Sequence, residues 1–167
     1  MLVRHSRLLG YGSSVFTFDA LHDTDLRRYR AVGPYTPAEI WIHVEASFTL
    51  VDAGDVVYSE TDFPVVALAT DLHRWTRRPQ RDRDTYLFDD RYHNGFTEDG
   101  AVRIVAADAG WRVGSVFAPD TWTRAISTEQ LDHAVAEFVS QVIHACRTQL
   151  GLDVADMIHV GNRGNSK

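Results

Sequence analysis

The sequence predicts an α+β domain, an antiparallel sheet of about six to seven strands with two helices packed on one face. Three patterns carry that prediction. Ile40 to Leu50 alternates apolar and polar residues with a period of two. Four short segments between residues 80 and 126 are separated by tight turns. Two stretches, after Asp62 and after Ser127, place apolar residues at helical spacing.

In chain order, Val15-Phe16-Thr17-Phe18-Asp19 forms the first strand. His22 to Pro37 is polar, holds two prolines and reads as a long loop. In the strand over Ile40–Leu50, Ile40, Ile42, Val44, Ala46, Phe48 and Leu50 face a core. Trp41, His43, Glu45, Ser47 and Thr49 face the other way. Val51-Asp52-Ala53-Gly54-Asp55 is a hairpin turn into Val56-Val57-Tyr58-Ser59. Asp62 is the expected N-cap of the first helix, with Pro64 in its first turn and Val65, Leu68, Leu72 and Trp75 as its buried stripe; Pro79 stops it. Strands follow at 86–88, 102–106, 111–117 and 121–126. Ser127 and Gln130 then form a capping box for a helix whose stripe is Leu131, Val135, Phe138, Val142, Cys146 and Leu150, ended by Gly151. Residues 1–160 read as one domain and 161–167 as a disordered tail.

Composition bounds the function. The 167 residues are 44% apolar and 24% charged, which excludes a largely disordered chain. A chain of this size buries roughly 70% of its extended surface and needs no disulfide or metal to fold. The one cysteine, Cys146, cannot make an internal disulfide, and the expected compartment is the cytoplasm. No signal peptide is read at the N-terminus, and no window approaches the ~20 apolar residues that span a bilayer. The net charge of -6 disfavours nonspecific binding to nucleic acid.

The densest polar patch is Asp89, Asp90, Arg91, Tyr92, His93 and Asn94. Asp89, Asp90 and His93 are residue types that hold a divalent metal, or a carboxylate can orient His93 as a base. The competing reading is a solvated loop. Trp41, His43 and Glu45 make a mixed aromatic and polar sheet face that is free to bind a ligand if both helices cover the opposite face. His133, Glu137 and His144 share the polar face of the last helix. Five arginines between Arg74 and Arg83 fit a helix C-terminus or a phosphate contact. Trp111 reads as a core anchor whose indole N–H needs a partner, for which a backbone carbonyl is the expected acceptor. No GxSxG, HExxH, phosphate-cradling glycine loop or dinucleotide fingerprint occurs. No catalytic residue, metal site or cofactor is therefore assigned.

Phe63-Pro64-Val65-Val66-Ala67-Leu68 with Leu72 and Trp75, combined with Gly110-Trp111-Arg112-Val113-Gly114-Ser115 before a closing amphipathic helix, resembles a group of small uncharacterised actinobacterial proteins over about residues 14 to 155. Sixteen arginines against the single Lys167 fit the codon bias of a GC-rich genome. The layout is similar to single-domain immunity proteins of bacterial polymorphic-toxin systems. The resemblance rests on core and turn residues, so it implies a fold and transfers no functional residue. The expected function is a non-enzymatic interaction protein, an immunity-like inhibitor of a basic toxin domain. The alternatives are a small hydrolase or metal-dependent enzyme built on Asp89, Asp90 and His93, and a small-ligand binder on the open sheet face.

Overall fold

A capping box interrupts the long alternating stretch. The computed structural model describes residues 15–26, 34–88 and 97–160, and in it Pro37–His43 is helix α1. Thr36 accepts a hydrogen bond from the Glu39 N–H at 3.3 Å, and the Glu39 carboxylate accepts one from the Thr36 N–H at 2.6 Å. Pro37 opens the helix, where its missing N–H costs nothing. Trp41 and His43 are thus helical, not strand residues, because local capping outweighs a period-two pattern over these seven residues. From Val44 the alternation holds. Strand β2 (Val44–Asp52) buries Ala46, Phe48 and Leu50 and turns Ser47, Thr49 and Val51 to the opposite face.

Strand β1 (Phe16–Asp23) and strand β3 (Asp55–Phe63) flank β2 in an antiparallel sheet. The β2–β3 turn is Ala53-Gly54, with φ of 51° and 97°, the pairing that type I′ hairpins need. β3 runs further than expected, so Asp62 belongs to it and does not cap helix α2 (Val65–Thr76). Pro64 holds that cap position without a side-chain hydrogen bond. The expected stripe of Val65, Leu68, Leu72 and Trp75 is buried.

A second sheet holds β4 (Tyr86–Leu87), β5 (Arg103–Ala107), β6 (Gly110–Ser115) and β7 (Ala118–Trp122) in sequence order. The strands therefore form two antiparallel sheets rather than one. β3 meets the second sheet through side chains, with Tyr58 stacked on Phe117 at 6.4 Å. β3 also shifts register against β2 at two places, and each bulge adds twist that turns its outer edge away from continuous pairing. Phe117 lies in the β6–β7 turn and is partly exposed, outside the buried face of Trp111, Val113 and Ser115.

The capping box of Ser127 and Gln130 opens helix α3 (Thr128–Ala145) as the sequence indicates. A π-turn over Cys146–Leu150 follows, and Gly151 ends it. A short helix α4 (Ala155–Val160), which the sequence pattern does not announce, packs on α2. Phe138 places its ring 5.7 Å from Phe16, 5.9 Å from Phe18 and 6.0 Å from Phe48, seating α3 on β1 and β2. Trp75 sets α2 against the second sheet, 5.7 Å from Tyr86 and 5.3 Å from Trp111. Phe48, Phe63 and Phe88 stack at 4.5 and 5.6 Å, carrying one core across the break between the sheets.

Trp111 is buried, and its indole N–H donates to the Thr128 hydroxyl at 3.0 Å rather than to a backbone carbonyl. From the arginine run, the Arg83 side chain is 6% exposed, donates to both Asp132 carboxylate oxygens at 2.5 and 3.1 Å and lies over the Trp75 ring. It clamps the segment after α2 onto α3. Among the described residues no helix is long and apolar enough to cross a membrane. The tail read as disordered, 161–167, lies outside the described residues.

Candidate metal centre

Two bulges on either side of β2 build one cluster of ligating side chains. Asp19 pairs with Ser47, so regular pairing would set Leu21 opposite Glu45. The register shift sets His22 there instead. Leu21 turns inward and is buried, and His22 joins Glu45 on the outer face. On the other side Glu60 pairs with Phe48, so regular pairing would put Asp62 into the core opposite Ala46. The shift gives that place to Phe63 and frees the Asp62 carboxylate. Each bulge thus sends an apolar side chain inward and re-aims a polar one. Each also holds a non-glycine residue in the left-handed region, Ala20 at φ 50° and Asp62 at φ 53°, a conformation that costs of order 1–2 kcal/mol.

The result is one donor from each of three adjacent strands. His22 Nε2 lies 3.4 Å from Asp62 Oδ1 and 3.9 Å from Glu45 Oε2. One ligand atom from each residue falls within 4.8 Å of the others. His22 Nδ1 sits 2.9 Å from the Ala20 carbonyl. A carbonyl only accepts, so Nδ1 donates to it and Nε2 is the ring nitrogen that faces the two carboxylates. This is the second-shell arrangement that fixes the tautomer of metal-bound histidines. Glu45 is buried, at 7% exposure, whereas Asp62 and His22 reach solvent. The cluster therefore has a buried floor and an open side. One imidazole and two carboxylates suit a divalent cation, whose bonds of about 2.0–2.4 Å need donors about 3–4 Å apart.

Of the described residues singled out from sequence as candidate binding or ligating groups, Glu45 alone enters this cluster. Trp41 is buried within α1. His43 ends α1, and its carbonyl accepts from the Thr24 N–H at 2.8 Å and from the Thr24 hydroxyl at 3.3 Å. The outer face of the first sheet is accordingly not the row of Trp41, His43 and Glu45. It carries the hydroxyl row of Thr17, Thr49 and Ser59, paired across three strands. Asp89, Asp90, Arg91, Tyr92 and His93 lie outside the described residues. His133 and His144 are exposed on α3, and Glu137 there accepts a hydrogen bond from Gln141. Burial pushes the Cys146 thiol up to about 12, so it stays protonated inside the core.

Sequence reasoning missed His22 and Asp62. Their one sequence signal is that each stands beside an apolar residue, Leu21 or Phe63, that competes for the same inward position.

No curated protein and no solved structure matches the chain. Over residues 16–147, which hold β1 to β7 and all of α3, the chain matches the family described as domain of unknown function DUF7878, and it belongs to that family.

Proposed function

We propose that this domain is a non-enzymatic binding protein whose ligand is a divalent cation held by His22, Glu45 and Asp62. The observation that carries this reading is the convergence of three donors from three strands through two bulges. Calorimetric titration of the full chain with Mn2+ tests it. One ion is expected to bind, and His22→Ala or Glu45→Gln should each weaken it at least about tenfold. Circular dichroism of both variants should remain unchanged. A wild-type chain that does not bind Mn2+ below about 1 mM overturns the reading.

A second reading is a basic protein partner, as the similarity in layout to single-domain immunity proteins suggests. A small apolar spot supports it. Leu87 and Phe117 are 48% and 39% exposed, and Leu87 and Val116 both pack beside Gly100. Glu98 and Asp99 immediately precede Gly100 and are exposed. Apolar anchors beside acidic residues favour capture of a basic surface. The net charge of -6 agrees and opposes nonspecific nucleic-acid binding. The cytoplasm is the compartment this reading proposes. Size-exclusion chromatography with a basic toxin domain encoded beside this gene should give a 1:1 complex that Leu87→Asp or Phe117→Asp disrupts. Separate elution of the wild-type proteins counts against it.

A further inference from the structure

A second pair of ligating side chains lies away from the first sheet. His73, near the end of α2, and His159, on α4, are 86 positions apart and meet at their ring nitrogens. His73 Nε2 is 3.4 Å from His159 Nδ1, with the rings 4.9 Å apart and tilted at 74°. That separation exceeds the usual 2.7–3.2 Å of a hydrogen bond from nitrogen. Two nitrogens bound to one tetrahedral ion at about 2.0–2.1 Å stand about 3.3–3.4 Å apart. The observed spacing matches the second arrangement.

Access and chemistry agree with the spacing. His159 is exposed and His73 half-buried, so an ion can enter from solvent. The pair contains no carboxylate. Imidazole nitrogens favour Zn2+, Ni2+ and Cu2+ over Mg2+ and Mn2+. α4 is short and follows the loop after Gly151, with Ile158 buried beneath it. A bond between His73 and His159 would fasten this element to α2.

We propose that His73 and His159 form a two-imidazole site for a borderline transition-metal ion that clips α4 onto α2, with water in the remaining positions. The proposal is independent of the His22 cluster.

The test uses the full chain carrying His22→Ala, so that the first cluster makes no contribution, and Ni2+ and Zn2+ alone as probes. One equivalent of Ni2+ should bind, and His73→Gln and His159→Gln should each weaken binding at least tenfold. Mg2+ should not compete. Hydrogen exchange of the amides at 155–160 should slow at least threefold on adding Ni2+, and neither glutamine variant should show that slowing. Absence of binding, binding that survives both substitutions, or unchanged exchange at 155–160 in the presence of bound ion would each overturn the proposal. His159→Gln changes an exposed residue, so loss of binding there is not a folding failure.

Discussion

A methyl group at position 114 has no space. Arg103, Gly114 and Trp122 are cross-strand neighbours on β5, β6 and β7. The Trp122 ring folds over Gly114 so closely that an added Cβ would lie 2.7 Å from it. The ring also meets the Arg103 guanidinium 4.1 Å from its centroid. Gly114→Ala should push Trp122 off and cost about 1–3 kcal/mol, measurable by urea unfolding. The quenching of Trp122 fluorescence should change with it. Gly110 answers to a different neighbour. There the obstacle is backbone, since a Cβ would fall 2.1 Å from the Ile126 carbonyl oxygen. Phe138 presents the opposite case, a ring filling space among Phe16, Phe18 and Phe48. Phe138→Ala should cost about 3–5 kcal/mol by the same measurement. Near-wild-type stability would contradict the seating of α3 on β1 and β2.

At the scale of elements, two contacts fix pieces that their own sequences would not hold. Arg83, in the irregular segment after α2, is fully engaged by Asp132, the Thr76 carbonyl and the Arg78 carbonyl. Asp132 is 40% exposed and water would take over its carboxylate, so Arg83→Ala should lose about 1–2 kcal/mol through the bonds to the Thr76 and Arg78 carbonyls and the packing on Trp75. Arg83→Lys should recover little, because an ammonium cannot donate in two parallel bonds. α4 is held on α2 partly through His73, and its stability should follow pH. The His73 pKa is lowered below its ordinary 6.5 by burial first, then by His159 and Arg77. As pH falls below 6.5 the unfolded chain takes up this proton before the native one does. Native stability therefore declines from there until pH passes the folded value, and it is unaffected above pH 7. Glu39 and Asp153, whose carboxyls are held below their usual values by hydrogen bonds from Thr36 and Ala155, act only at lower pH, where stability falls as they protonate. Without added metal, urea midpoints at pH 8 and pH 7 should agree and the midpoint at pH 5.5 should be lower, and His73→Gln should flatten that fall.

Over the whole molecule, legibility follows the range of the interactions involved. Helix α3 was readable because a capping box, an apolar stripe and a terminal glycine all act within a few residues. The β2–β3 and β5–β6 hairpins were readable from Gly54 and Gly110 for the same reason. Helix α1 was lost because its short capping box competed with a longer alternation that continues beyond it. The division into two sheets was lost because pairing between β3 and the second sheet depends on twist accumulated over separate strands. The candidate cluster was half visible. Glu45 stands at an outward position by simple alternation, but His22 and Asp62 reach it only after bulges reverse the alternation of their strands.

The amino-acid sequence by itself determined the α+β class, the positions of most strands, the buried faces of α2 and α3, and the acidic character of the chain. These follow from periodicity, caps and composition, which are local properties. The tertiary structure alone decided that the strands divide into two sheets, that His22 and Asp62 join Glu45, and that His73 meets His159. Each of those outcomes depends on which residue wins an inward position when distant segments pack. Leu21 and Phe63 win because burying apolar surface outweighs the strain of a left-handed residue beside them, and the polar neighbours are thereby turned outward.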